Sequence, residues 1–127
     1  MITKNKFLQQ VLQDFRKIPL IIGTIEVPRG DKKPYWDEPC FLDYGFFAAY
    51  QNPSDNDPLD IYYFNFSSKF TNGQKITVKI FGLLTNDKED IKLLATNPKK
   101  VKIESTDIER LILRENVYNP GTRYISL

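Results

Sequence analysis

Histidine does not occur in this sequence, and cysteine occurs once, as Cys40. Without imidazole there is no Ser-His-Asp or Cys-His machinery, no general base titrating near neutral pH, and no His ligand for a metal. A lone thiol forms no internal disulfide and cannot build a zinc site from several cysteines. One unpaired cysteine suits a reducing compartment, so a cytoplasmic location is expected. No run of about 18 apolar residues is present to span a bilayer. The opening residues, MITKNKFLQQVLQDF, set glutamine and aspartate among their apolar positions, unlike a signal-peptide core. Glycine-rich phosphate loops of the Walker or Rossmann type are missing too. Charge of one sign is likewise lacking: 18 basic residues face 16 acidic ones, for a net charge of +2. No global field draws the chain to nucleic acid or to an anionic membrane, and recognition has to come from local patches.

What remains is ample material for one core. Hydrophobic residues make up 41% of the 127 and aromatics 13%, more than a disordered chain carries. The length fits a single compact domain over residues 1–127. Phe7, Leu8, Val11, Leu12, Phe15 and Ile18 recur at spacings of three and four and predict an amphipathic helix. Thr3 or Asn5 is positioned to cap it and Pro19 to end it. Residues 20–27 are β-branched and read as a strand, closed by the Pro28-Arg29-Gly30-Asp31 turn. Residues 40–50 predict a second strand, with Gly45 marking a bulge or a close approach, and residues 60–69 a third. The Thr71-Asn72-Gly73-Gln74 turn and the alternation of Ile76, Val78 and Ile80 predict a hairpin over residues 60–84.

Beyond the hairpin, Asn86 and Glu89 read as the cap of a short helix reaching about Ala95, and Val101 with Ile103 as a strand. Thr106 and Glu109 form a second capping signature, while Leu111, Ile112 and Leu113 suit a helix or a strand equally. Residues 123–127 read as a terminal strand. The fold class expected is α+β, with the N-terminal helix packed on a curled, mostly antiparallel sheet or small barrel of five to six strands. An OB-like barrel is one candidate.

Three sets of side chains are candidates for function. The aromatic set is Tyr35, Trp36, Phe47, Tyr50, Tyr62 and Tyr63, beside Phe46 and Phe64. Both faces of residues 60–66 carry rings, and exposed tyrosine and tryptophan typically anchor protein interfaces. The basic set is Lys79, Lys99, Lys100, Lys102, Arg110 and Arg114, with Lys75 and Arg123; cations beside rings are what single-stranded nucleic acid requires. The acidic set is Asp55, Asp57 and Asp60, with Asp37, Glu38 and Asp43 nearby. Closely spaced oxygens can replace the hydration shell of Ca²⁺ or Mg²⁺, yet the loop lacks the glycine and bidentate glutamate of an EF-hand and reads as a solvated turn. Asp90 and Lys92 have carboxylate–lysine spacing, but on a helix residues two apart point to different sides.

Weighed together, these features favour a non-catalytic protein-interaction module, such as an accessory subunit, inhibitor or immunity-type antagonist. It would bind another protein through the aromatic surface, with no catalytic residue, cofactor, metal or membrane involved. A single-stranded nucleic-acid binder is the alternative. A carboxylate- or metal-dependent enzyme stands third, because only generic acids support it.

Overall fold

Phe7, Val11, Leu12 and Phe15 form the buried stripe of the first helix, α1 (Lys4–Lys17). The computed structural model describes residues 4–52, 56–100 and 102–127, with side chains from Lys6 onward; Thr3, the proposed cap, lies outside them, and Asn5 sits within the helix. Pro19 has no N–H to continue the helical ladder, and its carbonyl instead accepts from the backbone N–H of Ile80 at 2.8 Å. The chain thereby passes from the helix directly into the sheet.

Six strands follow: β1 (Leu20–Val27), β2 (Asp43–Gln51), β3 (Pro58–Phe64), β4 (Lys75–Thr85), β5 (Ile91–Thr96) and β6 (Arg123–Ser126), with α2 (Ser105–Tyr118) before the last. Strands pair in the order β1-β2-β3-β5-β4-β6, and a further β1–β4 pairing closes the first five into a barrel. Every pairing is antiparallel except β3 with β5. The expected α+β class, with a helix on a small, mostly antiparallel, OB-like barrel, is what the structure has.

The two-residue period of the strands separates two cores. Ile61 and Tyr63 of β3, with Ile91, Leu93 and Ala95 of β5, join the α1 stripe in one cluster. Tyr62 and Phe64, with Leu94, join Tyr44, Cys40, Leu42 and Leu111 of α2 in the other. The ring-bearing faces of β3 are therefore both covered, one by the cluster that includes α1 and one by α2 and the segment around Cys40. Tyr62 and Tyr63 are only 3% and 1% exposed, which corrects their assignment to a partner-binding face. Tyr63 has room inside because Gly23 lies against it: a Cβ there would stand 2.5 Å from the tyrosine oxygen.

Several local expectations are overturned. The turn at Asn72 and Gly73 exists, with Gly73 at a φ of 87°, but no hairpin results. β3 pairs with β2 and β5, while the turn leans on β1 through Gly73 N–H to Ile25 O at 2.7 Å. The predicted helix over residues 86–95 is a turn followed by β5. Asn86 Oδ1 accepts from the backbone N–H of Lys88 at 2.9 Å, an Asx turn rather than a helix cap, and the same residue types serve both. No strand forms at Ile103, Val101 lying outside the described residues, and α2 settles residues 111–113 as helix. Its N-cap is Glu104, which makes no side-chain cap bond.

Two side chains pass the loops into register. Asp43 is 1% exposed and accepts from Arg29 twice, from its backbone N–H at 2.8 Å and from its guanidinium at 3.1 Å. The same guanidinium donates to the carbonyls of Phe66, Ser67 and Ser68. Asn65 donates to the carbonyls of Lys100 and Lys102 at 3.1 and 2.7 Å, fixing the segment after β5.

Phe15→Ala removes a ring from the larger cluster and should cost about 3–5 kcal/mol of stability in denaturant unfolding. Arg29→Ala leaves a buried carboxylate unpaired and should cost about 3 kcal/mol. Gly45 answers to a close approach, since a Cβ there would fall 1.8 Å from Thr24 O. Gly45→Ala should accordingly lower the unfolding midpoint, whereas a similar midpoint to wild type would contradict the tight β1–β2 seam.

Candidate functional site

Parallel pairing sets Asp60 of β3 beside Lys92 of β5, and Lys92 Nζ lies 3.2 Å from Asp60 Oδ2. Parallel strands also start at the same end of a sheet. The acidic segment leading into β3 and the Asn86–Asp90 turn leading into β5 therefore emerge together. Asn52, Asp57, Asp60, Asp90, Lys92 and Asn119 line a single cavity there of about 190 Å³. Because residues 91–96 are strand and not helix, Asp90 and Lys92 reach the same cavity, contrary to the sequence expectation. Of the acidic set, Asp55 lies outside the described residues.

Electrostatics hold Lys92 charged. Burial on its own would lower its pKa, but the carboxylates of Glu115, Asp60 and Asp90 outweigh it and raise the pKa above the usual lysine value. Glu115 comes from α2 and is itself buried. It accepts from the hydroxyl of Tyr62 and, at 2.9 Å, from Asn119 Nδ2. Tyr62 and Tyr44 are both kept protonated. Burial leads in each case, with Glu115 next for Tyr62 and Asp60 next for Tyr44.

Among the described residues no three carboxylates or cysteines converge closely enough to hold a metal ion by themselves. The donor set nevertheless fits one particular ion. Mg²⁺ dehydrates reluctantly and is usually held by one or two carboxylates plus substrate phosphates, not by a closed protein cage. Asp57, Asp60 and Asp90 around one cavity offer such hard oxygen donors. Lys92 adds a cation for phosphate oxygens.

A second cavity, of about 360 Å³, shares Asp60, Lys92 and Asn119 with the first and is otherwise lined by Tyr35, Trp36, Tyr44, Tyr62, Arg114, Glu115 and Tyr118. The aromatic set is thus divided. Tyr35 and Trp36 belong to this cavity. Phe47 and Tyr50 pack on α1 instead, with Phe15 centred 6.0 and 5.5 Å from them and Tyr50 donating to Asp14 at 2.8 Å.

The basic set is divided as well. Lys99, Lys100 and Lys102 follow β5 at its far end, where Lys79 pairs with Thr96. Arg110 and Arg114 stand on α2 over the rings of Phe41 and Trp36, at 4.1 and 5.0 Å. Lys92, the cation that lies among the carboxylates, had been paired with Asp90 in the sequence and set aside as part of a helix; Glu115 was not among the candidates. A strand assignment for the alternation of Ile91, Leu93 and Ala95 would have kept Asp90 and Lys92 together, since residues two apart on a strand share a face.

No protein-family model matches the chain, and no curated protein matches it by sequence. Solved structures match its fold. An inorganic pyrophosphatase from Ehrlichia chaffeensis superimposes with a TM-score of 0.66 at 18% identity, over 84% of this chain and 86% of that one. The inorganic pyrophosphatase from Thermus thermophilus gives 0.63 at 17%, over 88% and 82%. That from Coxiella burnetii gives 0.60 at 18%, over 86% and 84%. The chain shares the fold of these structures. These neighbours are structures of inorganic pyrophosphatases, which overturns the expectation of a non-catalytic module with a protein or nucleic-acid partner. Two of the rings meant for a partner are also inside the molecule.

Proposed function

We propose that the protein is a divalent-cation-dependent hydrolase of phosphoanhydrides, with inorganic pyrophosphate as a substrate. The observation that carries this is the gathering of Asp57, Asp60, Asp90 and Lys92 around one cavity at the shared start of β3 and β5. The likeness of the fold to structures of inorganic pyrophosphatases supports it. In phosphoryl transfer the protein has little covalent chemistry to do, and catalysis is almost entirely positioning and charge stabilisation. A chain without histidine or a reactive thiol can carry out such a reaction.

Each residue has a role set by its surroundings. Lys92 places a fixed positive charge against the phosphate oxygens, where negative charge accumulates as the bridging bond breaks. Asp60 orients Lys92 through their 3.2 Å contact. One or two of the carboxylates Asp57, Asp60 and Asp90, completed by substrate phosphates, would hold the cation, which when bound neutralises phosphate charge and makes its water more acidic. Glu115, hydrogen-bonded to Tyr62 and Asn119, stands with Lys92 in the wall of the adjoining cavity, a set of charges arranged before the reaction begins. Among the described residues no helix is long and apolar enough to cross a membrane. A lone, unpaired and buried thiol at Cys40 suits the reducing cytoplasm.

Phosphate release from pyrophosphate is the direct assay, run with Mg²⁺ and again with chelator. Activity is expected with the ion alone. Asp60→Asn and Lys92→Met should each lower kcat/KM by about 100- to 1,000-fold, the usual cost of losing a positioned charge-stabilising group, with melting temperatures recorded alongside. Release that is undiminished in both folded variants would sink the assignment.

A further inference from the structure

The smaller cavity is lined by acids and Lys92, whereas the larger one is walled largely by rings. The two are joined at Asp60, Lys92 and Asn119, so a molecule whose phosphates meet Lys92 can extend its remainder between the rings. That remainder meets Trp36, Tyr44 and Tyr62 on the inner walls, with Tyr35 and Tyr118 at the mouth, 71% and 43% exposed. At about 360 Å³ the space falls within the range of small-molecule sites.

The ring walls are held in place before any ligand arrives. Trp36 stands edge-on to Tyr44 with centroids 5.5 Å apart, and the Arg114 guanidinium lies over the Trp36 ring, 5.0 Å from its centre. Arg114 is itself tied to the carbonyl of Glu38 at 3.1 Å. Lys32 Nζ grips the carbonyl of Trp36 at 2.9 Å. At the mouth, the Tyr118 hydroxyl donates to Asp37 Oδ2 at 3.1 Å and so links α2 to the Trp36 segment. Rings fixed in advance cost little ordering when they bind, and every nucleobase presents a flat π face on which they can stack.

We propose that the preferred substrate is an organic phosphoanhydride bearing a heteroaromatic ring, namely a nucleoside di- or triphosphate. Its base sits among Trp36, Tyr35 and Tyr118, and its phosphates sit at Lys92. This rests on the hydrolase reading above and narrows its substrate. For the diphosphate, water oxygen bonds to the terminal phosphorus and the bridging P–O bond breaks. The nucleoside monophosphate leaves with the bond's electrons and inorganic phosphate forms; the proton lost from water passes to solvent, and nothing is oxidised or reduced.

Trp36 is the sole tryptophan, so its fluorescence reports directly on this cavity. ADP, GDP, ATP and GTP are titrated against it in Mg²⁺, with inorganic pyrophosphate as comparison, and phosphate release is measured for each. Nucleotides should quench Trp36 and be hydrolysed with a kcat/KM at least tenfold above that for pyrophosphate. Trp36→Ala should reduce that preference about tenfold, which is about 1.4 kcal/mol, and Trp36→Phe should restore most of it. If Trp36→Ala does not fold, the wild-type preference and quenching together with Trp36→Phe decide the matter. Pyrophosphate turnover with no nucleotide preference and no quenching overturns the proposal and leaves the hydrolase standing. Turnover of neither substrate overturns both.

Discussion

The parallel pairing of β3 with β5 is the constraint on which the site depends. Every other pairing in the sheet is antiparallel, and an antiparallel neighbour would have carried the Asn86–Asp90 turn to the opposite end of the barrel. In parallel register Asp60 and Lys92 are direct partners, and the acidic segments before both strands open on the same side. Carboxylates far apart in the sequence come to line one cavity together with the Lys92 ammonium. Neither helix contributes a carboxylate to that cavity. α2 instead sets Glu115, bound to Tyr62 and Asn119, in the wall of the adjoining larger cavity that shares Lys92.

The same strands explain why aromatics are so abundant. β3 is covered on both faces, so alternate rings serve two cores, and the richness read as an interface is mostly packing. Among the described residues the two most exposed rings, Tyr35 and Tyr118, line the cavity that shares Asp60 and Lys92. Buried area and reachable area follow from one rule, the two-residue period of a strand, applied to a sheet that curls shut.

Local patterns were legible in the sequence wherever neighbours along the chain decide the outcome. The α1 stripe, the β1 limits at Leu20 and Val27, the alternation of Ile76, Val78 and Ile80, and the small mostly antiparallel barrel are all written there. Non-local pairing was not. Asn72-Gly73 carries a hairpin's turn chemistry, yet β3 takes its partners from residues some 30 positions later and some 15 earlier because those registers bury both of its faces. Asn86 through Glu89 has the composition of a helix start and forms an Asx turn, so Lys92 was assigned to the wrong kind of element and the acids were taken for a solvated loop. Arg29 shows the same limit: a residue within an ordinary turn signature clamps a buried aspartate 14 positions away.

The central claim is that Asp57, Asp60, Asp90 and Lys92 act as one site for a divalent cation and a diphosphate together. Calorimetric titration with a methylene-bridged diphosphate, whose P–C–P link resists hydrolysis, measures this without turnover. Binding should require Mg²⁺ in wild type and weaken at least tenfold in Asp90→Asn. Equal binding with and without the ion, or an unchanged affinity in the folded Asp90→Asn protein, would contradict it.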